Sequence, residues 1–230
     1  MFRLSRGVVL LGVALLTVLP DVFADERITS FHSRIVVEGS GDLLVTETIQ
    51  VRAEGKQIKQ GIYRDIPRLH TTKFGLKAKK PFEVLSVMRD GKQENYQTES
   101  IGRGGVRIRI GRAGVLLNPG SNYTYEISYR TGRQLYFEEE RDVLYWNVNG
   151  TEWLFPANRV SATVHLPEGI KPTKVWGYTG TLGKQGGSYK AALTGAGATI
   201  VSTRAFRQKE NLTVALEWPP GLLDDQAYSQ

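Results

Sequence analysis

Hydrophobic and polar residues alternate with a period of two along most of the chain. In FHSRIVV, Phe31, Ser33, Ile35 and Val37 fall on one side, and His32, Arg34 and Val36 on the other. EGSGD interrupts the pattern and LLVTETIQV resumes it. Side chains of a strand point to its two faces in turn, so residues 27–52 are predicted to form a hairpin. FEVLSVMR and QENYQT flank Asp90-Gly91, a pair suited to the positive φ angles of a mirror-image two-residue turn. VRIRI sets Val106, Ile108 and Ile110 against Arg107 and Arg109, and NYTYEISYR sets Tyr123, Tyr125, Ile127 and Tyr129 against Thr124, Glu126 and Ser128. VLYWNV, VSATVHLP, KVWGYTG, SYKAAL, ATIVSTR and LTVALEW continue in kind. About twelve short strands separated by Gly, Pro and Asn, with no run at helical spacing, predict an all-β fold, an antiparallel β-sandwich. Polar and acidic residues collect at 130–142, a seam if the domain (25–220) has two lobes rather than one continuous sheet system. Pro219 and Pro220 cannot continue a central strand, which leaves 221–230 as a tail.

The first 24 residues break the alternation. Arg3 and Arg6 precede GVVLLGVALLTVL, an uncharged run ending near small Ala24, the order of an export signal. The run is short of the roughly 20 residues a membrane span needs. An uncleaved N-terminal anchor is the alternative reading. Removing this segment takes Arg3, Arg6 and Asp21 with it and lowers the net charge from +7 to +6. The expected location is periplasmic or extracellular. There are no cysteines, which excludes thiol catalysis, thiolate metal sites and disulfides.

One acidic residue stands out of phase with its chemistry. In LLVTETIQV the branched apolar residues Leu43, Val45, Ile49 and Val51 share a face with Glu47. An unpaired buried carboxylate costs several kcal/mol, so it is neutralised or matched. KQGIYRDIPRLH supplies the match, because the planar fork of Arg64 can hold a carboxylate through two hydrogen bonds. Glu47 and Arg64 are therefore expected to form a structural ion pair, with Asp65 capping or pairing at the strand end. A bulge at Thr46 would instead rotate Glu47 outward and leave Arg64 solvated.

The strings LLVTETIQV, GIYRDIP, LYWNVNGTEW and VSATVHLP together resemble the N-terminal ectodomain of a domain-of-unknown-function family of predicted bacterial membrane proteins, over about residues 27–218. The resemblance implies an extracytoplasmic β domain, followed in typical members by transmembrane helices. It implies no activity. Nothing after Trp218 is apolar enough to span a bilayer, so the expectation is a free-standing or truncated version, or an anchor in a partner.

Motifs for catalysis are sparse. His32, His70 and His165 lie in different segments with no metal-ligand spacing, and neither a nucleophile elbow nor a phosphate-cradling loop is present. No cofactor or metal is expected. Glu138, Glu139, Glu140 and Asp142 offer a carboxylate pair for a glycan-directed hydrolase, although adjacent acids more often mark a solvated loop. Basic residues give a second set of candidates. Arg103, Arg107, Arg109 and Arg112, with a loop carrying Lys73, Lys77, Lys79 and Lys80, are placed to hold an anionic glycopolymer or lipid head groups. The same charges would also protect an exposed strand from edge pairing. Tyr145, Trp146 and Trp153 suggest a sugar-stacking platform, against core packing for Trp146 and Trp218. The reading that follows is a non-catalytic interaction or structural module at the cell envelope. Its partner would be an envelope protein or an anionic surface, not nucleic acid.

Overall fold

The computed structural model describes residues 26–71 and 77–223. The expected export signal lies outside the described residues, as do Lys73, the end of the tail, and the side chains of His70, Lys77 and Arg103. The regular structure of the described chain is strand throughout, apart from one short 3-10 turn at Gly102–Gly104. β1 (Arg27–Val37) and β2 (Leu43–Ala53) form the predicted hairpin at the centre of an eight-stranded sheet. On one flank lie β10 (Ser121–Thr131), β6 (Phe82–Arg89) and β7 (Lys92–Gln93); on the other lie β13 (Val160–His165), β16 (Gly197–Ser202) and β15 (Tyr189–Thr194). A four-stranded sheet contains, in order, β11 (Leu135–Phe137), β12 (Asp142–Asn147), β17 (Asn211–Trp218) and β14 (Lys174–Gly180). A three-stranded sheet contains β3 (Ile62–Ile66), β9 (Gly105–Ile110) and β8 (Tyr96–Ile101), and β4 (Leu69–Thr71) pairs with β5 (Lys77–Lys79). Strands from both sides of residues 130–142 share the eight-stranded sheet.

The four-stranded and three-stranded sheets pack against the inner face of the large one. Val45 and Ile49 of β2, Ile62 and Ile108 of the three-stranded sheet, and Val214 and Leu216 of β17 belong to one core. In β2 the inward set is Leu43, Val45, Glu47, Ile49, Val51 and Ala53, all buried. There is no bulge at Thr46; β2 stays in register with β10 through Ser128–Thr46 and Ile127–Glu47. Trp146 and Trp218 are buried in the same core, and so is Trp153.

The structure differs from the sequence expectation in two ways. β1 and β13 run parallel, from Phe31–Val160 to Val36–His165, so the sandwich is not purely antiparallel. Parallel neighbours require a long crossover rather than a tight turn; the chain passes through β12 of another sheet before β13 arrives. Inward–outward alternation is the same for either direction, so it could not reveal this. Secondly, Asp90 and Gly91 have φ of 53° and 76°, as the mirror-image turn demands, but the return strand is only Lys92–Gln93. The chain then leaves the sheet, and Tyr96–Ile101 pairs with β9 instead.

Candidate functional site

β3 lies over the inner face of β2, and its phase sends Ile62, Arg64 and Ile66 into the core while Tyr63 faces solvent. Arg64 reaches Glu47 side-on: Nε donates to Oε2 and Nη2 to Oε1, both at 2.7 Å. Tyr129 Oη donates to the same Oε1 at 2.7 Å, and Arg64 Nη1 donates to the Asp65 carbonyl at 2.9 Å. Glu47 is fully buried and Arg64 is 3% exposed. Burial by itself would lower the Arg64 pKa, but the Glu47 charge outweighs it and holds the guanidinium firmly protonated. Burial, then the neighbouring Glu47 carboxylate, pushes the Tyr129 hydroxyl well above its ordinary value. The guanidinium also stands 5.6 Å from the Phe31 ring centroid, within cation–π range.

The Asp65 carboxylate does not join this cluster. It faces outward and accepts both Nε and Nη2 of Arg107 at 2.7 Å, across the β3–β9 pair. Arg107 in turn lies 5.2 Å from the Tyr63 ring centroid. Arg107, one of the residues expected to hold an anion, is therefore engaged within the chain. Arg112 packs on the Asn95 side chain, whose oxygen accepts from Nε at 2.9 Å when the amide is turned toward it. Lys80 is half-buried and donates to Gln134 Oε1 at 2.6 Å, and burial brings its pKa down to about 8. Lys79 is exposed on β5, in a different sheet from Arg107 and Arg109. Arg109 differs from Arg107: its cross-strand neighbours are Tyr63 and Gln97, whereas Arg107 sits between Asp65 and Glu99.

The acidic cluster does not converge. Glu138 takes Arg141 Nε at 2.8 Å, Glu139 and Glu140 are exposed, and Asp142 is buried on β12. None of them lines the cavities beside β3. His32 is half-buried with Nδ1 2.9 Å from Ser161 Oγ, and burial lowers its pKa.

Two adjoining cavities lie beside β3. The first, about 170 Å3, runs along Gly61–Asp65 and is also lined by Ile58, Trp153, Leu154 and Phe155. The second, about 190 Å3, opens at the N-terminal end of β3 and is lined by Lys59, Gln60, Arg109 and Gly111 among others. They share Gln57, Gly61 and Tyr63. The 149–153 turn that brings Trp153 here is fixed to β17. Asn149 Oδ1 accepts from Leu212 N at 3.0 Å, Asn211 Oδ1 accepts from Gly150 N at 2.8 Å, and Trp153 Nε1 donates to Asn149 O at 2.7 Å. Gly150, at φ 75°, rests on the guanidinium: a Cβ there would lie 2.8 Å from Arg64 Nη1. GIYRD and NVNG thus meet in space, although 86 positions separate Arg64 from Gly150.

Sequence reasoning missed Glu26. Its Oε1 accepts from the backbone N–H groups of Glu54, Lys56 and Ile58 at 3.2, 2.9 and 3.1 Å, and Oε2 from that of Gln57 at 2.7 Å. One carboxylate thus shapes the 54–58 loop that borders both cavities. Burial alone would raise the Glu26 pKa, but the four N–H donors bring it below the ordinary carboxylate value of 4.5. A group depressed in the folded state contributes stability above its unfolded pKa and loses it as pH falls through the folded value. Acidification below about pH 4.5 should therefore destabilise the parent more than Glu26→Gln, whose amide does not titrate. Melting curves of the two at pH 7 and pH 3 check this; equal losses would separate the loop from Glu26 ionisation.

Fold and site together define an all-β domain stapled by one buried ion pair, with a cleft where the pair's strand meets solvent. The model of the predicted membrane protein N-terminal domain, DUF2207, matches residues 27–218, and the chain belongs to this family. Uncharacterized protein YciQ of Escherichia coli (strain K12) is 29% identical over 209 residues, covering 90% of this chain. The chain spans 32% of the length of that relative. Among solved structures, leukotriene A4 hydrolase from Saccharomyces cerevisiae aligns with TM-score 0.48 at 14% identity, over 84% of this chain and 29% of that one. An M1 zinc metallopeptidase from Deinococcus radiodurans aligns with TM-score 0.42 at 13% identity, over 83% and 42%. Likenesses at this level carry nothing about chemistry. Among the described residues no helix is long and apolar enough to cross a membrane.

Proposed function

We propose that the domain is a non-catalytic recognition module on the extracytoplasmic side of the membrane, and that it binds an anionic group in the cleft between Lys59 and Arg109. The observation that carries this reading is the lining of that cleft: two cations and no acid. Elsewhere Arg107 is engaged by Asp65, Lys80 by Gln134 and Arg112 by Asn95. An Arg fork and a Lys ammonium facing one opening suit a carboxylate or phosphate, whose charge-assisted hydrogen bonds are short and strong. The extracytoplasmic placement draws on the export-type N-terminal segment and on membership in a family of predicted membrane proteins.

Cosedimentation with phosphatidylglycerol vesicles, with phosphatidylcholine vesicles as the reference, tests the anion reading. The parent should be recovered with the anionic vesicles at low salt and released as ionic strength rises. The Lys59→Ser/Arg109→Ser variant should lose most of that recovery, while Lys79→Ser, in another sheet, should not. Recovery of the double variant equal to the parent would remove the cleft from the account.

A further inference from the structure

The cavity beside β3 is lined by every residue from Gly61 to Asp65 in succession. Alternate residues of a strand face opposite sides of its sheet, with Ile62 and Arg64 inward and Tyr63 outward. A space that touches all of them adjoins the strand's edge rather than one face. Among the described residues β3 is the edge strand of its sheet: β9 lies on one side and no described strand on the other. Such an edge presents backbone donors and acceptors, which proteins cover, blunt or use to pair with another chain.

Side chains around this edge complete a receptor. Ile58, Ile62, Trp153, Leu154 and Phe155 make the chamber predominantly apolar. Trp153 is held edge-on to Phe31 at 6.3 Å and packed on Phe155 at 5.4 Å. Its volume of about 170 Å3 is of the order of the engineered cavity of about 150 Å3 that holds benzene, room for a single branched or aromatic side chain. Tyr63 and Leu154, each 52% exposed, form an open apolar rim. On the chamber wall Asp65 is paired with Arg107 and Arg64 with Glu47, while the exposed Glu152 accepts a hydrogen bond from Thr151. The cations without an acidic neighbour in the lining, Lys59 and Arg109, stand at the N-terminal end of β3, where the 57–60 loop closes the groove.

We infer that this edge receives the C-terminal segment of a partner polypeptide as an added antiparallel strand, its last apolar side chain in the Trp153–Phe155 chamber and its terminal carboxylate between Lys59 and Arg109. Direction follows from charge. A strand added antiparallel to β3, the slightly more stable pairing, ends at the N-terminal end of β3, where the cations are. Edge addition gives affinity through main-chain hydrogen bonds, and side-chain pockets and carboxylate capture give selectivity. The inference rests on the anion reading above and adds the chemistry of the partner.

Fluorescence anisotropy with labelled pentapeptides Thr-Val-Thr-Val-X, where X is Ala, Val, Leu, Ile or Phe, tests it in both free-acid and C-terminal amide forms. Free acids ending in Leu, Ile or Phe should bind at least tenfold more tightly than their amides and than the Ala-ended peptide. Lys59→Ser/Arg109→Ser should erase the acid–amide difference. Leu154→Asp, a change at an exposed rim position whose melting temperature verifies folding, should weaken every peptide at least tenfold. Acid and amide binding equally, or binding unaffected by Leu154→Asp, would overturn the inference. No peptide bound while anionic vesicles are still held through Lys59 and Arg109 would overturn the peptide partner and leave the anion reading standing. Loss of both signals would remove the two together.

Discussion

Glu47→Gln is expected to lower the stability of this domain by about 3–5 kcal/mol and its melting temperature by on the order of 10 °C, at the 2–4 °C per kcal/mol usual for a domain of about 200 residues. The substitution keeps the shape and deletes the charge. The guanidinium of Arg64, 3% exposed and aimed at Glu47 through two bonds of 2.7 Å, is then left charged in an apolar layer without a counter-ion. At about 4 Å and an effective dielectric near 20, the lost attraction is of order 4 kcal/mol. Tyr129 can still donate to the new amide oxygen, so the cost comes from the charge. Arg64→Lys should fall in the same range for another reason. A lysine keeps the charge but makes one point contact where the fork made two, and it abandons the Asp65 carbonyl that Nη1 holds at 2.9 Å. Replacing both partners with apolar residues, as in Glu47→Leu/Arg64→Met, should cost much less than the sum of the single changes, because neither charge is then stranded. Thermal unfolding of the three variants measures this, and melting temperatures within a degree of the parent for both single changes would remove the ion pair as a determinant of stability.

Glu47 was visible in the sequence because it breaks a rule inside a regular pattern. A strand of period two fixes which side chains share a face, and a carboxylate among Leu43, Val45, Ile49 and Val51 has few stable fates. Tyr129 lies on the inward phase of its own strand and pairs across to Val45. Its role as second donor to Glu47 needed the β2–β10 register, which a local pattern does not carry. Asp65 illustrates the same boundary from the other side. Its adjacency to Arg64 suggested a shared role, yet adjacent strand residues face opposite ways, and its partner Arg107 arrives from a strand 42 positions later. Basic residues looked alike in the sequence and came apart in the fold, because cross-strand neighbours decide which are neutralised: Asp65 and Glu99 for Arg107, Tyr63 and Gln97 for Arg109. Glu26 left no local trace. A carboxylate that collects the N–H groups of a loop some thirty residues away has no periodicity to break. It stands two positions beyond Ala24, where the export-type segment is expected to end.

Gly61→Ala should be the most damaging of the small changes near the cleft, with an expected loss of about 3 kcal/mol or more, combining backbone strain with a forced displacement of two paired strands. Gly61 has φ 153°, and a Cβ built there would overlap the Ile110 carbonyl oxygen. Gly111, at φ 120°, has the mirror problem with the Gln60 carbonyl. The two glycines face one another where β3 and β9 begin to pair at Ile62–Ile110. Two backbones approach there more closely than side chains permit, and the obstacle is main chain, which cannot rotate aside as a flexible side chain would. Relief requires opening that end of the pair. Opening it separates Lys59, carried by the 57–60 loop, from Arg109, carried by β9, so anion binding should fall even at temperatures where the rest of the domain is folded. Gly39→Ala is the control: nothing lies within 4 Å of a Cβ at that position, and its effect should stay within about 0.5 kcal/mol, as for an ordinary surface change. Amide hydrogen exchange separates local from global loss. Faster exchange at β3 and β9 in Gly61→Ala, with β1 and β2 protected as in the parent, is expected; parent-like exchange at Ile62 and Ile110 together with an unchanged melting temperature would show that the strands yield to a methyl group without cost.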